Sequence, residues 1–516
     1  MKVIILAAGI GSRLTPITQF KPKSMVKVNG KPILEYQIDG YIKAGISESD
    51  IYIVTGYMDD HIDSYIRRNY SRVHIVQNND FRNTNNMYSL YLALCHIENK
   101  LGNLEQTIFI SNADCVYSEK LMNDFVNCPL ENAIAVDLEF FNEESMKIEL
   151  DDNGHLTNIA KTISKENSNG ISLDIYKYSK EAIRELFAIV KGFVEDKKEL
   201  NHWTEVAFPH LFKKIKINYF DICKESWVEI DNFQDLAIAD KLFSKFNLLN
   251  KKAIICDIDG TVFIGNTPIK GAIDFIEKNH NNYDFYFATN NTSKIPTDYV
   301  QKLAECGIII SERQVLTPLM SLIEYIKKTQ LSSVYLIAND RVYNFLKQEC
   351  PKTEFGFDLE NNQALILTYD SEINYQKLKN ASILLNKKQD IIFLATHTDM
   401  FCPTENGPIP DIGSFIKLIS STTNRDPDII FGKPNSLLIE HQIKNYDISA
   451  VVLVGDRIYT DKKLADNVGC DFICVLSGET KRQDIDGEEL FPSLILGDLG
   501  DLENFTSSKQ RINFIL

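Results

Sequence analysis

The chain has 516 residues, of which 44% are hydrophobic and 24% are charged, the composition of an ordinary soluble protein. A single hydrophobic core stops growing well below this length, so two core domains of about 250 residues each are expected. The formal net charge of −16 disfavours a nucleic-acid partner, which would require a basic surface, and leaves small anionic substrates open.

The first apolar run, MKVIILAAG, is too short and too glycine-broken for a signal peptide or a membrane span, and we interpret it as a buried strand. The ten cysteines include no CxxC pair, and Cys115, Cys256 and Cys474 lie within apolar runs. This pattern predicts reduced, buried thiols rather than disulfides or a zinc site. We therefore expect a cytoplasmic protein without a membrane partner, and we leave open whether it forms a homo-oligomer.

Short β-branched runs alternate with amphipathic segments along the first half, in the order VIILAAG, a helix over residues 33–44, DIYIVTG, HIVQ and TIFISNAD. This alternation predicts parallel strands with helical crossovers, the α/β class, in which ligands bind beyond the carboxyl ends of strands. The pattern restarts at Ala253 with AIICDIDGT. We place a boundary near residue 250, with domains over 1–248 and 253–516.

A glycine-containing loop follows the first strand and is followed in turn by basic residues. Glycines let the backbone approach phosphates, and the cations at Arg13 and Lys23 suit a triphosphate and the leaving pyrophosphate. The alternative is a tight turn with surface cations, which the offsets of Arg13 and Lys23 disfavour. The residues predicted to contact the nucleotide through this loop are Leu6, Ala8, Gly9 and Gly11.

Carboxylates end two later strands. TIFISNAD places Asp114 at one strand end, and WVEID places Glu229 and Asp231 at another. A Mg²⁺ ion that bridges the α-phosphate and the attacking phosphate needs hard oxygen ligands, and we predict Asp114 and Asp231 for this role. The alternative for each aspartate alone is a helix N-cap.

Residues 6–23 match the pattern LAAGxGxRLxPxTxxxPK, and residues 1–245 resemble the sugar-phosphate nucleotidyltransferase family. The resemblance implies a Rossmann-like domain with a mixed sheet that couples a nucleoside triphosphate to a phosphorylated small molecule and releases pyrophosphate. The segment QNNDFRNTNNMYSLYLA resembles the nucleobase region of bacterial choline-phosphate cytidylyltransferases more than that of the glucose-1-phosphate branch. Gln77, Asn86 and Ser89 are then expected to read the cytosine edge of CTP. The alternative is a polar loop before an Asn-capped helix.

The segments AKTISKENSNGISLDIYKY and HWTEVAFPHLF resemble the acceptor half of the same branch. Lys161 is expected to balance the acceptor phosphate, while Trp203 and Glu205 line its organic end. A tryptophan face near a carboxylate suits a cationic group. A tryptophan buried in the core is the alternative.

The run Asp257-Ile258-Asp259-Gly260-Thr261 follows the strand AIIC. Covalent phosphoryl transfer needs a carboxylate nucleophile, Asp257, and a second carboxyl group that protonates the leaving oxygen and then activates water, Asp259. This run resembles the haloacid dehalogenase superfamily.

The remaining motifs of that superfamily follow in order. Carboxylates around a phosphate repel it, so Mg²⁺ and a lysine are electrostatic necessities. The resemblance implies that Thr289, Asn290, Asn291 and Lys433 bind or neutralise the phosphoryl group, and that Asp257, Asp259, Asp456 and Asp461 hold Mg²⁺.

The long interval between the strand near residues 283–289 and Lys433 predicts an inserted α/β cap over about 335–428 on a Rossmannoid core. The cap position, the TNN motif and LATHTDMFCPTENGPIPDIGSF resemble the NagD-like, 4-nitrophenylphosphatase-like subgroup. Asp399, Asp411 and Gly413 are candidates to contact the leaving group. The segment VFIGN after DIDGT matches the usual sequence of the subgroup only in part. This difference affects the expected leaving-group preference and not the expected chemistry.

The combined hypothesis is a bifunctional, Mg²⁺-dependent enzyme. Its first domain transfers CMP from CTP to a small phosphorylated alcohol, amine or polyol, and its second is a phosphatase for a small phosphorylated metabolite. Precursor synthesis for surface polysaccharide or lipid modification would use such a pair. The alternatives are a UTP- or dTTP-dependent sugar-1-phosphate nucleotidyltransferase with an unrelated phosphatase, and a nucleotide-binding domain that regulates the phosphatase.

Overall fold

The structure is a computed structural model that describes residues 1–101, 104–402, 407–487 and 491–506. The chain divides into two compact units, Met1–Ser244 and Lys245–Ile485, each of which also receives a short C-terminal segment. The predicted domain limits, 1–248 and 253–516, stay predictions. Residues 403–406 of the cap motif and 507–516 at the end of the second domain lie outside the described residues. Among the described helices, none is both long and apolar enough to cross a bilayer.

The first unit is built on a mixed nine-stranded sheet. Its central strands are parallel, and the strand Ile171–Tyr178 runs antiparallel to its neighbour Ile108–Asn112. In spatial order the strands are Leu156–Ala160, Lys147–Leu150, Ile171–Tyr178, Ile108–Asn112, Lys2–Ala7, Ile51–Thr55 and His74–Gln77, with Ala133–Asp137 paired to both Ile171–Tyr178 and Asn218–Asp221. Two small antiparallel pairs join Cys115–Tyr117 to Trp227–Glu229 and Lys27–Val28 to Lys31–Pro32.

Helices cover both faces of this sheet. The first strand is buried along its whole length because successive side chains enter opposite cores: Ile4 and Leu6 enter one, Val3 and Ile5 the other. The helix predicted over 33–44 ends one residue earlier, at Lys43. The helices are Ile33–Lys43, Asp59–Asn69, Asn86–Leu101, Glu119–Val126, Lys180–Lys191, Phe208–Phe212 and Phe233–Leu242.

The second unit contains two sheets. The first is parallel and consists, in spatial order, of Val315–Leu316, Asp284–Ala288, Ala253–Asp257, Val451–Gly455, Asp471–Val475 and Leu494–Leu496. The second consists of Glu354–Phe355, Ser333–Ile337, Ala364–Leu367, Ile392–Ala395 and Ile429–Ile430, and it lies in the chain between two strands of the first. Short strand pairs join Phe263–Ile264 to Thr267–Pro268 and Phe401–Cys402 to Ile409–Pro410.

The helices of the second unit connect these parallel strands. They are Lys270–Asn279, Pro296–Ala304, Pro318–Thr329, Asp340–Glu349, Tyr375–Lys387, Ile412–Thr423, Glu440–Ile443, Lys463–Val468 and Arg482–Ile485. The expected α/β class, with an inserted α/β cap in the second half, is confirmed. The cap limits near 335 and 428 stay predictions, although the second sheet runs from Ser333 to Ile430.

Parallel pairing brings the predicted chemical residues to one edge of each sheet. Asp257 ends its strand between the strands that precede Thr289 and Asp456. In the first unit, the strand before Gly9 pairs in parallel with the strand before Asp114. Both sites therefore lie at the carboxyl ends of neighbouring strands, where α/β proteins bind ligands. All ten cysteines are free thiols.

Candidate active sites

The first unit contains a cavity of about 260 Å³ at these strand ends. The loop after the first strand forms one wall, and the segments near Asn86 and Trp203 form others. Most residues predicted for nucleotide, metal and acceptor line it together: Leu6, Ala8, Gly9, Arg13, Lys23, Asn86, Ser89, Asp114, Lys161, Trp203, Glu205 and Asp231.

The two predicted cations are paired with the predicted metal ligands. Lys23 Nζ donates to Asp114 Oδ2 at 2.9 Å and to Asp231 Oδ1 at 2.6 Å. Arg13 donates to Asp231 Oδ2 at 2.7 Å and to Glu144 Oε2 at 2.8 Å. Burial alone would lower the pKa of Lys23, but Asp114 and Asp231 raise it above its ordinary value. The lysine is therefore charged, and it is paired with two carboxylates in this structure.

A carboxylate cluster lies beside these cations. Ligand oxygens of Asp114, Glu229 and Asp231 are all within 4.8 Å of one another. Burial, followed by the charges of Asp174 and Asp114, raises the pKa of Glu229 well above its ordinary value. Repelling carboxylates at this spacing form the hard oxygen set that Mg²⁺ prefers. The residues present fit a divalent ion, and Glu229 is a ligand candidate that the strand-end argument had not chosen.

Two predicted nucleotide contacts do not line the cavity. Gln77 is exposed and donates to Asp59 Oδ2 at 2.6 Å. It ends a strand in which successive side chains point to opposite sides, so Asn78 takes the inward position and is 2% exposed. Gly11 has φ +68°, and a Cβ there would come 2.6 Å from Lys23 Cβ. The glycine positions Lys23 and does not form part of the cavity wall.

The other two predicted base-reading residues line the cavity but also bond to protein groups. Ser89 Oγ accepts from Asn78 Nδ2 at 3.1 Å. Asn86 Oδ1 accepts from the backbone N–H of Thr204 at 2.8 Å. Asn86 therefore anchors the segment that carries Trp203, and its carbonyl is already engaged. The base-reading roles of Asn86 and Ser89 stay predictions.

The predicted acceptor residues come together at the far end of the cavity. Lys161 Nζ lies 5.1 Å from the centre of the Trp203 ring, which is 45% exposed, so the alternative of a core tryptophan is wrong. Glu205 is 2% exposed and bonds to the Tyr176 hydroxyl. Sequence reasoning missed Asp174, which lines the same wall at φ +57° where the strand pairing is irregular. No sequence signal identifies such a bulge.

The second site is a buried charge cluster. Lys433 Nζ contacts Asp257 Oδ1, and it donates to Asp461 Oδ1 at 2.6 Å. Burial, with help from Asp461 and Asp456, raises the pKa of Asp257 well above its ordinary value, and Lys433 opposes this shift. Lys433 is thus the protein group that favours the ionised form of the proposed nucleophile.

A metal-binding arrangement adjoins this pair. Ligand oxygens of Asp257, Asp456 and Asp461 lie within 4.8 Å of one another. Asp456 Oδ1 is buried and has no hydrogen-bond partner among the described residues, and burial followed by Asp461 raises the pKa of Asp456 to about 6. An unpaired buried oxygen among carboxylates fits a bound cation. The Asp259 side chain is not among these grouped ligand atoms, and its role as a metal ligand stays a prediction.

The segment Thr289–Asn291 shapes the site around the lysine. Asn290 Oδ1 accepts from Lys433 N at 2.7 Å, and its Nδ2 donates to Lys433 O at 3.1 Å. Thr289 Oγ1 accepts from the backbone N–H of Asn291. Both ends of the Asn290 amide bond to the backbone of Lys433 and so help to position this lysine, and the phosphate-binding role of Asn290 stays a prediction.

The predicted cap residues approach the same edge. Asn290 Nδ2 also lies 3.2 Å from Asp399 Oδ2. Asp399 and Asp411 lie 3.6 and 3.7 Å from the two ring nitrogens of the buried His397, which the sequence argument missed. A Cβ on Gly413 would come 2.3 Å from Thr398 O, so this glycine allows close packing, and its contact with the leaving group stays a prediction.

These arrangements define an α/β protein with a cavity of paired cations and carboxylates in one unit and a buried lysine–aspartate cluster in the other. A nucleotidyl transferase family matches residues 2–243, a haloacid dehalogenase-like hydrolase family matches residues 254–349, and a HAD-hydrolase-like family matches residues 430–502. The chain therefore carries a nucleotidyl transferase domain followed by a haloacid dehalogenase-like hydrolase domain, and it is both a nucleotidyltransferase and a phosphomonoester hydrolase.

Individual relatives match the second half. An acid sugar phosphatase of Staphylococcus saprophyticus is 29% identical over 260 residues, 49% of this chain and 97% of the relative. A 4-nitrophenylphosphatase structure from Thermotoga maritima is 33% identical, covers 49% of this chain and 97% of its own, and has a TM-score of 0.46. A glycerol phosphate phosphatase from Mycobacterium tuberculosis, solved with magnesium, is 24% identical over 48% of this chain and 76% of its own, with a TM-score of 0.44.

Proposed function

We propose that the first domain transfers CMP from CTP to a small phosphorylated alcohol, amine or polyol, and that the second removes phosphate from a small phosphorylated metabolite. One observation carries the proposal. A single cavity contains the cations of the glycine loop, the carboxylate cluster and a separate polar end at Glu205. A triphosphate and a second phosphorylated substrate therefore each have a place. The cytoplasmic location and the lack of a nucleic-acid partner remain part of the proposal.

In the first domain the acceptor phosphate oxygen attacks the α-phosphorus, and pyrophosphate leaves. Mg²⁺ held by Asp114, Glu229 and Asp231 would offset the phosphate charge. Lys23 and Arg13 orient the triphosphate and stabilise the departing pyrophosphate, because their charges already converge on this cluster. Lys161, near the acceptor end, balances the attacking phosphate.

The preference for CTP rests on the polar wall of the cavity. Asn78 Nδ2 donates to Ser89 Oγ, which leaves the hydroxyl hydrogen of Ser89 for a ligand. Cytosine offers an acceptor at ring position 3 and an amino donor beside it, whereas uracil offers an N–H and a carbonyl. A fixed hydroxyl donor that faces ring position 3 would pair with cytosine and oppose the N–H of uracil. The resemblance of the Gln77 segment to choline-phosphate cytidylyltransferases supports the same choice.

In the second domain Asp257 attacks phosphorus and forms an aspartyl phosphate, while Asp259 protonates the leaving oxygen. Asp259 then takes a proton from the water that hydrolyses the intermediate. Lys433 neutralises the nucleophile and the transferred group, and Mg²⁺ held by Asp257, Asp456 and Asp461 would supply further positive charge. The name of the staphylococcal relative makes a sugar phosphate the first substrate to test.

The test is a screen of CTP, UTP, ATP and dTTP for pyrophosphate release with a panel of phosphorylated alcohols, amines, polyols and hexose 1-phosphates. Release with CTP and a small non-hexose acceptor is expected. Preference for UTP or dTTP with a hexose 1-phosphate would instead identify a sugar-1-phosphate nucleotidyltransferase. Nucleotides that release no pyrophosphate but change the phosphatase rate would identify a regulatory domain.

A further inference from the structure

We propose that Asp174, Tyr176 and Glu205, here called the acceptor triad, select an acceptor that donates hydrogen bonds from its organic end. Such a donor is a hydroxyl or a protonated primary amine, and a quaternary ammonium is disfavoured. This inference rests on the proposed function, because it treats the far end of the first cavity as the acceptor subsite.

The triad contains a buried acceptor that the protein does not satisfy. Glu205 is 2% exposed, and its Oε2 has no hydrogen-bond partner among the residues that the structure describes. The same residue lines the cavity. A buried oxygen without a donor is costly, and its cost is removed when a ligand supplies the donor. An unpaired acceptor facing a substrate cavity therefore points to a ligand with N–H or O–H groups.

The hydrogen bonds of Tyr176 and Asp174 also leave acceptor oxygens of the triad without a donor. The Tyr176 hydroxyl lies 2.7 Å from Glu205 Oε1 and 3.0 Å from Asp174 Oδ1, and its single hydrogen can serve only one of them. Asn112 Nδ2 donates to Asp174 Oδ2 at 2.9 Å. The two carboxyl groups thus accept fewer protein hydrogen bonds than they can hold, and both Asp174 and Glu205 line the cavity.

The aromatic surfaces of the cavity do not form a cage for a quaternary ammonium. Among the described lining residues, the aromatic ones are Phe81 and Trp203. Lys161 Nζ lies over the Trp203 ring at 5.1 Å, and the Arg82 guanidinium lies over Phe81 at 5.7 Å. Since both rings already face protein cations, a methylated ammonium gains little from them and still leaves Glu205 Oε2 without a donor.

The experiment compares O-phosphoethanolamine and phosphocholine, which differ only by three N-methyl groups, with glycerol phosphate as the hydroxyl probe. The full chain carries Asp257→Asn so that the second site does not hydrolyse the probes. We expect kcat/KM for at least one protic acceptor to exceed that for phosphocholine by at least about tenfold. Glu205→Gln should lower kcat/KM for the amine more than for the polyol, because the substitution removes the negative charge and keeps a hydrogen-bonding group.

Amino-acid substitutions distinguish a specific effect of the triad on the acceptor from a general loss of activity. Glu205→Gln and Tyr176→Phe should raise KM for the preferred protic acceptor at least about fivefold, change KM for the nucleotide less than about twofold, and reduce the preference over phosphocholine. The matched control is Glu185→Gln, a partly exposed carboxylate outside the cavity that pairs with Lys214, which should change neither KM. Equal or better use of phosphocholine by the wild-type triad overturns the inference.

Failure of the proposed function gives a different result. If another nucleotide supports transfer with the same acceptor ranking, the choice of CTP is wrong and the triad inference stands. If no nucleotide supports transfer, calorimetric binding of the three probes to the Asp257→Asn chain decides. Tighter binding of a protic probe that Tyr176→Phe weakens supports the triad, and equal or absent binding of all three overturns it.

Discussion

Both active sites hold charged groups of opposite sign close together, but these groups are more deeply buried in the phosphatase site than in the transferase site. In the phosphatase site, Asp257, Lys433 and Asp461 are 6%, 3% and 0% exposed, and the lysine contacts both carboxylates. In the transferase site, the side chains of Asp114 and Arg13 are 27% and 54% exposed. Charges interact more strongly in a buried, low-dielectric site. Single substitutions should therefore be most damaging in the second domain.

Their chemistry explains the difference in depth. The phosphatase forms a bond between phosphorus and its own carboxylate, so a desolvated nucleophile at a strand end is an advantage. The transferase joins two bound substrates, so its cations must leave Asp114 and Asp231 to meet the triphosphate. Side chains on a loop, with part of their surface in solvent, can make that exchange. Burial in each site thus follows from whether the protein or a substrate supplies the nucleophile.

Replacing the nucleophile gives the largest expected effect. Asp257→Asn should abolish phosphatase turnover because an amide cannot attack phosphorus, and it should leave nucleotidyl transfer within about a factor of two, as expected for independent domains. Phosphate release and pyrophosphate release are measured on the same preparation. Phosphatase activity at the wild-type rate would refute the assignment, and a parallel loss of transfer would show that the two sites are coupled.

Removing the metal ligands of the more open site should have the next largest effect. Asp114→Ala or Asp231→Ala should cost about 3 kcal/mol of transition-state stabilisation, a loss of about 100-fold in kcat/KM for pyrophosphate release. EDTA should stop both activities. The control is Asp152→Ala, an exposed carboxylate outside the cavity, which should not change the rate. Transfer that persists in EDTA would remove the metal hypothesis from this site.

Sequence reasoning succeeded where chemistry lies on regular strand ends. Asp257 and Asp456 lie together because their parallel neighbouring strands end at the same edge of the sheet, as the strand pattern predicts. Lys433 follows a strand of the second sheet, and it was predicted from its resemblance to a superfamily motif. Sequence reasoning failed where local geometry decides orientation. Gln77 ends a strand and Asn78 follows it directly, so the two side chains face opposite sides and only Asn78 lines the cavity. Asp174 enters the site through a positive φ that residue type does not indicate.

The residues that line the cavity near the predicted nucleobase site allow a test of the preference for CTP over UTP. CTP should exceed UTP by at least about tenfold in kcat/KM, because an opposed buried polar pair costs roughly 1 to 3 kcal/mol. Ser89→Ala should narrow this ratio, since it removes the hydroxyl in the cavity wall. Gln77→Ala is the matched control, because Gln77 bonds to Asp59 outside the cavity. Equal use of both nucleotides, or an effect of Gln77 equal to that of Ser89, would contradict the cytidylyltransferase interpretation.

The smallest predicted effect concerns the backbone that positions Lys23. Gly11→Ala places a side chain on a residue at φ +68°, with its Cβ 2.6 Å from Lys23 Cβ. We expect a loss of about 1 kcal/mol in the free energy of unfolding of the first domain, from the left-handed backbone, together with a few-fold fall in pyrophosphate release as Lys23 is displaced. Urea unfolding followed by both activity assays measures the change. Gly192→Ala is the control, because its φ is −60° and the nearest atom to its Cβ is 3.8 Å away. The phosphatase should be unaffected by either substitution. An unchanged free energy of unfolding and an unchanged transfer rate for Gly11→Ala would contradict the prediction. They would show that the position of Lys23 does not depend on this contact or that the transferase site tolerates its displacement.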